Sequence, residues 1–202
     1  MKRKLILLVG LVAVAAVFAA PVQVDEAGWS KPVSDIQARF SFEEGPLGHG
    51  TTRLTKTYLE LRNVSDRASP IYLWYDPGAS VKAQLFDSAG KPVQMTGNAA
   101  SIWVSPPFLI CLPYDSTLKL NVTASGYGVP KDEKALVGLI SGDWVIKKDD
   151  SSEYFLGGTF IAESPAKETE HELWTGEIQI PMTRVDVLNK TTPQKSTDHD
   201  EQ

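Results

Sequence analysis

The chain has 202 residues, one cysteine, and 25 acidic against 20 basic side chains, for a net charge of −5. That balance offers no basic excess from which to build a nucleic-acid or anionic-membrane surface. The single cysteine excludes an intrachain disulfide, so the fold must be held by an apolar core.

The amino terminus reads as an export signal. Lys2, Arg3 and Lys4 precede an uninterrupted apolar run from Leu5 to Phe18, and small residues follow at Ala19 and Ala20. Cleavage after Ala19 fits best, and an uncleaved anchor, which needs roughly 18 apolar residues, is the alternative. Loss of residues 1–19 removes Lys2, Arg3 and Lys4 and no acidic residue, leaving 17 basic against 25 acidic and a net charge of −8. The protein is therefore expected to be secreted or periplasmic, meeting a membrane only through this segment if it is retained. Residues 20–34 read as a linker, 35–188 as one domain, and 189–202, "NKTTPQKSTDHDEQ", as a disordered tail lacking apolar residues.

Within the domain, period two dominates. In "IQARFSFE" the residues Ile36, Ala38, Phe40 and Phe42 share one face, and Gln37, Arg39, Ser41 and Glu43 the other. "GPLGHG" then reads as a loop in which Gly48 and Gly50 leave the His49 ring open. Leu59 and Leu61 point inward and Glu60 and Arg62 outward, until the polar knot Asn63–Pro70 turns the chain. The next strand puts Ile71, Leu73 and Tyr75 inward, with Tyr72 and Trp74 on its opposite face. Val81, Ala83 and Leu85 repeat the pattern, and "FDSAGKPV" carries the Asp87, Ser88 and Gly90 of a hairpin. Alternation of this kind belongs to antiparallel sheets with one wet face.

Cys111 lies in "PPFLICLPY", among apolar residues and prolines, and reads as a buried, inert thiol. "TLKLNVT" alternates again, with Leu118, Leu120 and Val122 inward. A short helical turn is expected at "PKDEKALVG", starting from Pro130. "ALVGLISGDWVI" and "EYFLGGTFIA" read as two strands joined by a charged hairpin tip at 147–153, and Gly157-Gly158 predicts a bulge or a close backbone approach. "SPAKETEHELW" is too polar to bury a helical face. In the last strand Trp174, Ile178, Ile180 and Met182 share a parity that Val185 and Val187 do not, so the phase slips near Pro181. A kinked edge strand that changes partner there is expected.

Eight or nine short strands with regular turn signals define an all-β, antiparallel β-sandwich in a single domain. A strand ending "LRNVSD", then "SPIYLW", a "VKAQLFDSAGKPV" hairpin, a proline-rich link to "STLKLNV", and a closing "WTGEIQIPMTRVDV" together resemble the immunoglobulin-like domains of bacterial extracytoplasmic proteins. The resemblance spans about residues 35 to 188 and lacks the paired cysteines of antibody-type domains. It implies a fold and transfers no catalytic residue.

No motif for chemistry emerges, and no catalytic residue, metal or cofactor is assigned. "HELWT" puts Thr175 where a zinc-protease motif needs its second histidine, which leaves His171 a structural or solvent-facing residue, and His199 lies in the tail. Neither G-x-S-x-G nor S-x-x-K is present. The oxygen-rich "KKDDSSE" matches no EF-hand loop spacing. What stands out is aromatic. Tyr72 and Trp74, with His49, are the candidate binding residues, set against the alternative that the two rings are covered by another segment, such as the one around Trp29. The expected function is a non-enzymatic binding or scaffolding module at the cell envelope, with an unidentified protein or glycan as partner. The alternatives are a protein-binding inhibitor acting through "GPLGHG" or "SPPFLICLP", and a carbohydrate-binding module stacking sugars on Trp and Tyr.

Overall fold

The computed structural model describes residues 28–45, 53–95, 105–123, 133–139, 142–147, 153–165 and 169–185. The export signal, His49 and its loop, Trp103, residues 148–152 and the tail lie outside them. The described residues form strands and no helix: β1 (Ile36–Gly45), β2 (Arg53–Asn63), β3 (Ile71–Tyr75), β4 (Val81–Asp87), β5 (Phe108–Leu112), β6 (Thr117–Asn121), β7 (Glu133–Leu139), β8 (Gly142–Lys147), β9 (Tyr154–Ala162), the two-residue β10 (Leu173–Trp174) and β11 (Gly176–Arg184).

These strands divide into three hydrogen-bonded sheets. The first runs β1-β2-β7-β8, with β6 also paired to β2; the second is β10-β3-β5 and the third β11-β9-β4. Most pairings are antiparallel, as the alternation requires. The exceptions are short parallel contacts between β2 and β7 and between β10 and β3. The chain passes repeatedly from one sheet to another, so inward faces from all three meet in one core. β1 lies against β11 and β9, and β9 also approaches β3. Ile36, Phe40, Leu59 and Leu61 from the first sheet join Leu73 and Leu112 from the second and Leu85, Phe160 and Ile178 from the third. The molecule is an all-β sandwich, and the inward set read from alternation is largely the buried set. Phe42, Ile71, Ala83, Leu118 and Leu120 pack against this core while only partly buried.

The local turns follow from residue chemistry. Val33 and Ile36 exchange backbone hydrogen bonds across Ser34 and Asp35, whose φ angles of 43° and 70° are both left-handed, as a two-residue primed turn needs. Asp87 Oδ1 accepts from the Ala89 and Lys91 amides, and Gly90 takes a φ of 74°, which closes the expected hairpin. Residues 28–33 already pack with the domain. Ser30 donates its amide to the Ala38 carbonyl (3.0 Å), and the Trp174 indole donates to Val33 O (3.2 Å).

Several local expectations change in the tertiary context. "ALVGLISGDWVI" is not one strand, because β7 and β8 pair antiparallel with Leu139 opposite Gly142, so the chain reverses between them. β8 and β9 do not form the expected hairpin with each other, since β8 pairs with β7 and β9 with β4 and β11; the charged residues 148–152 between them lie outside the described residues. "PKDEKALVG" gives no helical turn over its described part, since Glu133–Leu139 is β7 and its branched and apolar residues suit a strand. At Pro181 the register does shift, between Ile180 and Thr183, but β11 keeps β9 as its partner throughout. The bulge buries Pro181 and turns Met182 out to solvent at 51% exposure, where strict parity had put it inward. Cys111 is exposed, on the outer side of β5.

The outer face of β1 and β2 is covered as well. Gln37 and Glu60, outward by parity, are both buried. Trp29 lies on this face, with the Arg39 and Arg62 guanidiniums 4.3 and 4.7 Å from its ring centroid. Gln37 donates to the Ser30 carbonyl (2.7 Å). Glu60 accepts from Arg39 Nε (2.7 Å) and Ser41 Oγ (2.6 Å). Burial alone would raise the Glu60 pKa, but the two hydrogen bonds together with the nearby charges of Arg39 and Lys119 outweigh it and hold the carboxyl below its ordinary 4.5. A depressed folded pKa gives stability that is present above the ordinary value and is lost as pH falls through the folded one. Glu60→Gln is expected to destabilise by about 1–2 kcal/mol at neutral pH and to flatten the acid limb of a stability-versus-pH curve. A variant whose acid limb matches that of the wild type would remove Glu60 as its source.

Candidate binding face

The outer side of the second sheet holds two of the three residues singled out from sequence. Alternation along β3 turns Leu73 and Tyr75 into the core and leaves Tyr72 and Trp74 half-buried on the opposite side. Antiparallel pairing sets Cys111 opposite Tyr72 and Leu109 opposite Trp74, and directly opposite residues share a face. Leu109 is 39% exposed and Cys111 is exposed too. The result is a small aromatic and apolar patch facing solvent. Trp29 does not cover it, because that ring is committed to Arg39 and Arg62 on the first sheet. His49 lies outside the described residues.

The patch gains a member that sequence reasoning set aside. β10 runs parallel to β3, with Leu173 opposite Tyr72 and Trp174 opposite Leu73. That pairing brings His171, two residues before Leu173, over Tyr72, where the rings stack at 3.9 Å between centroids and 5° between planes. Cys111, directly across the strand pair, is the main cause that pushes the Tyr72 phenol above its ordinary pKa. An open depression of about 420 Å³ lies over this group, with Glu170 and Glu172 at its margin.

Beyond Trp74 lies a second, more enclosed depression of about 250 Å³. Trp74 forms one wall, and Asp76, Ser80, Lys82, Ile161 and Glu163 are among the other lining residues. The β3–β4 turn is fixed by its own hydrogen bonds: Asp76 N donates to Ser80 Oγ (3.0 Å), and Gly78 N to Asp76 Oδ1 (2.8 Å). Ile161 N donates to the Ser80 carbonyl (2.8 Å), tying that turn to β9. Asp76, Lys82 and Glu163 carry no sequence signal for a common site, since three different parts of the chain supply them.

Among the described residues no group of three or more His, Cys, Asp or Glu side chains could hold a metal ion. Of the "KKDDSSE" segment only the ends are described, and Glu153 there pairs with Arg184 at 2.8 Å. The proline-rich "SPPFLICLP" is mostly strand, because Phe108–Leu112 is β5, and so it is no projecting inhibitory loop. Three of the four described tryptophans, Trp29, Trp144 and Trp174, are buried, so no row of tryptophan faces lines a groove there. No protein-family model, curated protein or solved structure matches this chain.

Proposed function

We propose that this is an exported, non-enzymatic module on an immunoglobulin-like frame, binding a protein or glycan partner at the cell envelope through the outer face of the β10-β3-β5 sheet. The observation that carries the reading is the placement of Trp74. It is the one described tryptophan that is not buried, and it walls the more enclosed depression from β3, the middle strand of its sheet. A half-exposed indole beside an exposed leucine is a poor way to build a soluble surface and a good way to build a contact. Export is supported by the basic residues 2–4 and the apolar run that follows. The immunoglobulin-like frame is supported by strand order and turn placement.

The test is capture of partners from envelope extracts and on a glycan array by the mature protein, with Trp74→Ala alongside. The substitution is expected to weaken the recovered binding by at least about 30-fold, the size of a central contact residue, and to leave the melting temperature nearly unchanged because the ring is not in the core. Binding that survives Trp74→Ala intact would place the contact elsewhere.

A further inference from the structure

Resting on that reading, we infer that the 250 Å³ depression beside Trp74 is a subsite for one neutral or N-acetylated pyranose ring. The first argument is what the indole lacks. Trp144 and Trp174 donate their ring N–H groups to the carbonyls of Val93 and Val33. Among the described residues the Trp74 N–H has no such partner. Buried or half-buried indoles usually find one, so Trp74 lines the depression with an indole whose donor is unused within the described protein.

The second argument is the company it keeps. Lys82 and Glu163 line the depression, yet neither forms an ion pair with the other or with any described residue. Asp76 uses Oδ1 on the Gly78 amide, which leaves Oδ2 available. Donors and acceptors therefore stand around an aromatic wall without satisfying one another. A sugar hydroxyl both donates and accepts, so a ring bearing several of them matches this mixed set. The C–H face of the ring suits the electron-rich face of the indole.

Size and charge narrow the class. Pockets for drug-sized ligands run from about 300 to 1,000 Å³, so this one suits a single ring. Two carboxylates against one ammonium make the subsite anionic, which disfavours uronic acids and phosphosugars and admits neutral or N-acetylated hexoses. The hydrogen bonds within the Asp76–Ser80 turn, and from Ile161 to Ser80, fix that side of the depression before ligand arrives, which reduces the ordering cost of binding there.

The experiment titrates the full mature protein with glucose, galactose, N-acetylglucosamine and glucuronate, following tryptophan fluorescence and calorimetry. At least one neutral or N-acetylated hexose should bind saturably in the millimolar range, with glucuronate at least about tenfold weaker. Glu163→Gln should weaken the neutral sugar by about tenfold and narrow the gap to glucuronate. Trp74→Ala should abolish both the binding and its fluorescence change. Glu163 is exposed, so its variant gives a second test that does not depend on Trp74→Ala. Absence of saturable binding by every hexose, or binding indifferent to both substitutions, overturns the inference. If envelope partners are captured through Trp74 while no hexose binds or competes, the pyranose subsite falls and the binding face stands. If neither extracts nor sugars bind, both fall.

Discussion

Gly158→Val is expected to lower stability by about 3 kcal/mol or more, the upper end for overpacking a filled interior. For a domain of this size that is a fall of roughly 6–12 °C in melting temperature. A Cβ at Gly158 would stand 2.3 Å from the Lys82 carbonyl oxygen and 2.9 Å from the Ala83 Cα. Both are backbone atoms of β4, so no change of rotamer relieves the clash. β4 would have to leave β9, drawing Val81 and Leu85 out of the core. Gly157→Ala is the control, since its nearest neighbour is the flexible Met182 side chain at 3.3 Å. Thermal and urea unfolding of both variants decides the matter. A Gly158→Val protein melting within about 2 °C of wild type would mean that β4 and β9 do not pair in this register.

Asn63→Ala is expected to cost about 3 kcal/mol, because two or more buried backbone groups lose their partner at about 1–3 kcal/mol each. Asn63 is fully buried at the end of β2. Its Nδ2 donates to the Leu112 carbonyl (3.1 Å) and to Ser69 O (3.4 Å), while Oδ1 accepts from Ser65 N (3.0 Å). One side chain thus joins the knot after β2 to the end of β5 and so links the first sheet to the second. Asn63→Asp separates the roles. It keeps the acceptor for Ser65 but removes both donors and buries a charge, so it should be at least as damaging as alanine. Equilibrium unfolding at neutral pH measures both, and an aspartate variant as stable as wild type would show that the donor bonds contribute nothing.

The Asn63–Pro70 knot shows how far local reading reaches. Its turn-forming residues mark a reversal, and the Asn63–Ser65 hydrogen bond is the local side-chain turn that such residues make. Nothing in the segment says that the chain there leaves one sheet for another, or that Asn63 serves a carbonyl 49 residues away. The same division runs through the binding face. The alternation of β3 places Tyr72 and Trp74 opposite Leu73 and Tyr75, and that assignment holds. His171 reaches Tyr72 only because β10 pairs with β3, a two-residue parallel contact too short to leave a periodicity. Cys111 looks buried when judged by its neighbours in sequence, yet in a strand the neighbours point to the opposite face.

Alternation, turn residues and the near absence of cysteine were enough to define an all-β sandwich and most of its inward-facing residues, because a strand with one wet face writes its burial into every second position. Which strands pair, where the sheets divide, and which side chains from distant segments meet beside Trp74 were decided only by the tertiary structure. Those contacts depend on sheet order and crossing connections, and a crossing leaves no local trace in the residues it brings together.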